Sequence, residues 1–76
     1  MQKTNTIFLS GCPDQKIKIF INEELFIDQN IPYTNTKLTL NYNSNLDEDN
    51  ICISNGTIFK IYSVSSNDTV NIDMNK

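Results

Sequence analysis

The 76-residue sequence predicts an all-β domain. The expected architecture is a small antiparallel β-sandwich, jelly-roll or immunoglobulin-like, of about seven short strands, with a small β-barrel as the alternative. Three observations carry this. Apolar and polar residues alternate with a period of two in several separate segments, as they do along a strand with one buried face. Ala is absent and Ile is the dominant apolar residue, with 11 copies, while Asn and Thr fill the polar positions, so helix is poorly supported. Clusters of turn-forming residues separate the alternating segments.

Thr4 to Ser10 is the first expected strand, with Ile7 and Leu9 on one face. Gly11-Cys12-Pro13-Asp14 is a turn by composition. Lys16 to Asn22 alternates cleanly, with Ile17, Ile19 and Ile21 inward against Lys16 and Lys18 outward. Glu23-Glu24 is read as a tight connection into a strand over Leu25 to Asp28. Gln29 to Asn35, which holds Pro32, is read as a loop or a bend at a sheet edge. Thr36 to Tyr42 alternates again, with Leu38, Leu40 and Tyr42 on one side. Asn43 to Asp49 is polar apart from Leu46 and is expected to be a solvated acidic loop.

The strongest local signal follows. Asn55-Gly56 stands between two β-branched runs and predicts a two-residue type I′ hairpin, because both turn residues must take positive φ. That turn would pair Ser54 with Thr57, Ile53 with Ile58 and Cys52 with Phe59. One face of the hairpin then carries Ile51, Ile53, Ile58, Tyr62 and Val64, interrupted by Lys60, and the other carries Cys52, Phe59 and Ile61. Ser65 to Asp68 is a turn, and Thr69 to Met74 a last strand with Val70, Ile72 and Met74 inward. The expected core is Ile17, Ile19, Ile21, Leu38, Leu40, Ile51, Ile53, Ile58, Val70 and Ile72.

The whole chain, residues 1–76, reads as a single β domain without linker or repeat. A chain this short buries only about 60% of its unfolded surface, so its stability should lean on a staple, an oligomer or a partner. The composition excludes much chemistry. There is no His, so the usual general base and commonest metal ligand are missing. There is no Arg for a bidentate phosphate clamp and no Trp. Six lysines among nine acids, net charge −3, make no basic stripe, which argues against nucleic acid as a partner. No apolar run approaches the roughly 20 residues that cross a bilayer, and no membrane partner is expected. Phe, Tyr, Met, Ile, Asn and Lys, all with AT-rich codons, make up half the chain, which points to an AT-rich genome. The asparagines are dispersed and form no low-complexity tract.

Candidate sites are few. Leu9-Ser10-Gly11-Cys12 matches the bacterial lipoprotein cleavage box, but the polar Met1 to Thr6 leaves only Ile7 to Leu9 as an apolar segment before it, too short for a signal peptide. A strand ending in a Gly-Cys-Pro turn is therefore expected. A Cys12–Cys52 bridge would close about 40 residues and contribute about 4 kcal/mol, but without an export signal both thiols are expected to be free. Two Cys without His complete no zinc site, and no base is at hand to activate a Cys nucleophile. Asn43, Asn45, Asp47 and Asp49 faintly resemble a calcium loop, yet Glu48 and Ser54 stand where the loop needs its glycine and its acidic last ligand. Asn55-Gly56-Thr57 and Asn67-Asp68-Thr69 are glycosylation sequons of the kind that chance supplies at this Asn content. Glu23 and Glu24 have nothing converging on them, so a carboxylate-pair hydrolase is disfavoured.

The expected function is therefore non-enzymatic, with no catalytic residue, cofactor or metal. A structural or interaction module is the leading class, of the kind found as small viral or phage capsid-decoration and connector proteins, with a virion or host-cytoplasm location favoured over secretion. That assignment rests on analogy of fold. The alternatives are a small inhibitor of a host enzyme encoded by a mobile element, or a cell-surface adhesive or carbohydrate-binding module. The expected partner is a protein or another copy of the chain. The expected contact holds Cys52, Phe59 and Ile61, because a sandwich covers one face of each sheet and leaves this second apolar face without cover.

Overall fold

The computed structural model describes residues 1–10, 15–31 and 35–74. Seven strands run in chain order: β1 (Gln2–Ser10), β2 (Gln15–Ile21), β3 (Glu24–Ile31), β4 (Thr36–Asn43), β5 (Asp49–Ser54), β6 (Phe59–Val64) and β7 (Thr69–Asp73). They form two sheets, a three-stranded one in the order β4-β1-β7 and a four-stranded one in the order β3-β2-β5-β6. The sheets pack face to face as a small β-sandwich over a core that contains Ile7, Leu9, Ile17, Ile19, Ile21, Ile31, Leu40, Ile51, Ile53 and Ile72.

The pairings within the larger sheet are antiparallel. The smaller sheet departs from a wholly antiparallel plan, because β1 pairs with β4 antiparallel but with β7 parallel, Ile7 opposite Val70 and Leu9 opposite Ile72. The turn Ser65 to Asp68 delivers β7 to that position. Its Asn67, at φ 63°, donates its N–H to Thr4 O at 2.7 Å, and Thr6 N donates to Asp68 O at 2.9 Å. The turn between β6 and β7 is thus stitched to the middle of the first strand.

Most of the expected core is buried: Ile17, Ile19, Ile21, Leu40, Ile51, Ile53 and Ile72. Leu38, Ile58 and Val70 are only partly buried and pack against the rim of the core, because each lies near the end of an edge strand or in a turn. Gln29 to Ile31 continues β3 rather than forming a loop, and Ile31 is buried opposite Gln15. The expected turn at Gly11-Cys12-Pro13-Asp14 and the bend at Pro32 lie outside the described residues.

Two turns differ from expectation in an instructive way. The type I′ geometry occurs at Asn22-Glu23, one residue earlier than the expected Glu23-Glu24 connection, with φ 49° and 73° and the pair Ile21–Glu24 closing the hairpin. At Asn55-Gly56 only the glycine takes positive φ, 93°. There the Asn55 side-chain oxygen accepts from Thr57 N at 2.9 Å and Ile58 N at 2.7 Å, widening the loop to four residues. The ladder closes at Ser54–Phe59, two residues beyond the expected register, so Cys52 faces Ile61 and not Phe59. A slip of two keeps every side chain on its expected face.

Glu23 is an exposed non-glycine residue in the left-handed region. Glu23→Gly is expected to raise stability by about 0.5–1 kcal/mol, since relief of the steric cost at φ 73° outweighs the added freedom of the unfolded chain. A rise of a few degrees in melting temperature checks it.

Candidate functional site

The outer face of the four-stranded sheet carries an apolar row that crosses all four strands. Outward residues alternate with the buried Ile17, Ile19, Ile21, Ile51 and Ile53, so Phe20 and Cys52 face outward by parity. The registers align them: Leu25 lies opposite Phe20, Phe20 opposite Cys52, and Cys52 opposite Ile61. Phe59 adds to the row from the start of β6. Phe59 is 62% exposed, Ile61 61% and Leu25 54%, values that belong to surface and not to core. Phe20, Cys52, Phe59 and Ile61 enclose a shallow hollow of about 310 Å³, with Glu23 and Asn50 at its rim.

The structure thus brings Cys52, Phe59 and Ile61 together on one outward face. Phe20 and Leu25 belong to the same row, although the alternation pattern does not single them out. Phe20 stands between Ile19 and Ile21 and shares the outward parity of Lys16 and Lys18, which a reading of the buried isoleucines passes over. Cys52 is unbridged. Burial pushes its thiol pKa up, so it is not an activated nucleophile. Cys12 lies outside the described residues.

A second group of chemically capable side chains lies inside one end of the sandwich. Lys3 Nζ donates to Asp49 Oδ2 at 2.8 Å and also to Leu46 O, and both members of this ion pair are buried. Asp49 further accepts from Asn22 Nδ2 at 2.9 Å, from Ser44 Oγ at 2.5 Å and from Tyr42 Oη at 3.2 Å. Asn5, fully buried, donates to Tyr42 Oη at 2.6 Å and accepts from Asp68 N at 2.8 Å. The network joins β1, β4 and β5 with the β2–β3 turn and with the turn before β7, and its buried polar side-chain atoms are all hydrogen-bonded among the described residues.

Burial alone would raise the Asp49 carboxyl pKa. Hydrogen bonds from Lys3, Ser44 and Asn22 and the charge of Lys3 outweigh burial and lower it from 3.8 to about 2. Tyr42 moves the other way: burial, then the Asp49 charge and the hydrogen bond it gives Asp49, raise its pKa against the opposing bond from Asn5. Neither group is tuned toward proton transfer near neutral pH. The placement of Asp49 in a solvated acidic loop is therefore corrected. It opens β5 and is fully buried, and its oxygens are engaged by Lys3, Asn22, Ser44 and Tyr42 rather than presented to a calcium ion. The sequence does carry a signal for it. Lys3 and Asn5 share the parity of Ile7 and Leu9, and Asp49 shares that of Ile51 and Ile53, so extending the alternation backwards places all three polar residues on the inner face.

The chain matches no protein-family model, and no curated protein or solved structure matches it either.

Proposed function

We propose that the chain is a non-enzymatic interaction module that assembles with copies of itself or with a larger protein shell through the outer face of the four-stranded sheet. The observation that carries this reading is the apolar row Leu25–Phe20–Cys52–Ile61 with Phe59 beside it, exposed on a domain small enough to gain from added burial. Lys16 and Lys18 lie on the same face of the sheet, a polar border to an apolar centre. The small size and the AT-rich codon bias favour, within this class, an accessory structural protein of a viral particle.

Sedimentation and light scattering of the purified chain across a concentration series test this. The wild type is expected to exceed the 8.7 kDa monomer mass, and Phe59→Ser to remain folded while shifting toward the monomer, with a loss of melting temperature only at concentrations where the wild type is assembled. A wild type that stays monomeric at every concentration, binds no shell protein and unfolds on Phe59→Ser would show Phe59 to be ordinary packing.

A further inference from the structure

A groove of about 570 Å³ runs along the side of the sandwich where the edge strands β3 and β4, one from each sheet, face each other. Its position follows from a β-bulge. The β2–β3 register steps between Ile19–Ile27 and Phe20–Leu25, leaving Phe26 as the extra residue on β3. Leu25 continues the outward row, while Phe26 turns to the open side and meets the Tyr42 ring edge-to-face, centroids 6.3 Å apart and planes at 76°. Phe26 nevertheless remains 42% exposed, so an aromatic surface stands at the wall of the groove.

Ile21, Leu25 and Tyr42 line the groove beside Phe26, and the rest of the lining is polar and almost uncharged. Asn41 and Asn43 line the groove from β4, Asn22 and Ser44 close one end, and Glu24 lines it from β3. Asn41 has its side-chain oxygen engaged by the Thr4 hydroxyl at 2.8 Å, which leaves its amide hydrogens for another acceptor. The end wall is rigid, because Asn22 and Ser44 are both tied to the buried Asp49 and Tyr42 behind Phe26 is held by Asn5. A ligand would therefore meet walls that are already ordered.

The chemistry of these walls selects the ligand class. A phosphate or carboxylate ligand would face Glu24 with no cation among the lining residues. One carboxylate among amides is too little for a divalent cation. A lipid would cover Asn43 and the amide hydrogens of Asn41 without giving them a partner. An extended peptide adding to β3 would meet the bulge at Phe26, where the ladder is broken, and one adding to the unbroken edge of β4 would leave the Phe26 ring and Glu24 without a matched partner, an outcome the peptide arm of the titration reads directly. A neutral carbohydrate satisfies all of these surfaces: hydroxyls for amides and carboxylate, and a polarised C–H face for the negative face of an aromatic ring. We propose that the β3–β4 groove is a binding site for neutral carbohydrate, with Phe26 as its apolar platform and Asn41, Asn43 and Glu24 as its hydrogen-bonding groups.

The test is amide NMR of the full chain titrated with a panel of neutral oligosaccharides at millimolar concentration, comprising chitotriose, cellotriose, maltotriose, mannotriose and lactose. A proline-free extended octapeptide serves as the competing ligand. At least one sugar is expected to shift the amides of Asn22, Phe26, Asn43 and Ser44 saturably. Phe26→Ala should weaken that binding about tenfold or more. Asn43→Ala, at an exposed position, should weaken it several-fold with no change in melting temperature. Phe59→Ser, on the outer face, should leave it intact, which separates this site from the assembly surface. The proposal is overturned if no sugar in the panel moves those amides, if only the peptide does, or if binding survives both Phe26→Ala and Asn43→Ala.

Discussion

Asp49→Asn should destabilise the domain by about 3–5 kcal/mol, the largest effect expected of any single polar substitution here. The reason is the partner left behind. Lys3 is only 5% exposed, and without Asp49 its ammonium keeps Leu46 O but loses its counter-charge. The cost thus measures an orphaned buried charge and not the net worth of the ion pair. Lys3→Met combined with Asp49→Asn removes that orphan while the amide oxygen still accepts from Asn22 and Ser44, so the double variant should be more stable than Asp49→Asn alone, though short of the wild type because the Tyr42 hydroxyl loses its acceptor. Chemical denaturation of the three proteins checks this, and a double variant no better than the single would place the cost elsewhere.

The same residue sets a pH signature. Its folded pKa of about 2 lies below the unfolded 3.8, so the unfolded state binds more protons and the stability Asp49 contributes is complete above the unfolded value. It is lost as pH falls through about 2, an amount of about 2 kcal/mol. In Asp49→Asn the acid-induced loss over that window should shrink correspondingly.

Ile19→Ala should cost about 2–5 kcal/mol, a large share of the stability of a domain this small. Ile19 is fully buried on β2 and is flanked by Ile27 on β3 and Ile53 on β5, so truncation opens a cavity that two sheets border. Ile61→Ala is the matched comparison. It is the same chemical change at a side chain 61% exposed on the outer face, and it should alter monomer stability by no more than about 0.5 kcal/mol. Thermal melts of the two variants side by side decide the matter. Equal losses would mean that the two faces of the four-stranded sheet have been confused.

Much of this contrast is legible in the order of the residues alone. Lys16 to Asn22 and Thr36 to Tyr42 alternate so regularly that their buried faces can be named, and Ile17, Ile19, Ile21, Leu40, Ile51 and Ile53 are buried as expected. Cys52, Phe59 and Ile61 share one outward face, as the alternation implies, even though the expected hairpin register is wrong by two, because a slip of two conserves the pleat. Phe20 and Leu25, which complete the row, come from another hairpin, and only the pairing of β2 with both β3 and β5 sets them beside Cys52.

The polar cluster and the groove are less visible for different reasons. Lys3, Asn5 and Asp49 sit on inward positions, but a pattern of apolar residues skips polar ones, and a buried Lys–Asp pair becomes intelligible only when its two members, 46 residues apart, are in contact. The groove depends on a bulge at Phe26, which shows in the sequence as nothing more than the run of three adjacent apolar residues Leu25-Phe26-Ile27.

Local alternation and turn chemistry therefore settle the all-β class, the number of strands and which side of most of them is buried, since these follow from the period-two geometry of each strand taken alone. They leave open which strands are neighbours. The parallel pairing of β1 with β7, the division into β4-β1-β7 and β3-β2-β5-β6, and the turn shape at Asn55-Gly56 are decided by the tertiary fold. Each depends on contacts between distant residues: the turn before β7 bonded to Thr4 and Asn5, Asn22 bonded to Asp49, and Ile58 packed against the core. Such contacts decide among arrangements that local propensity leaves nearly equal in energy.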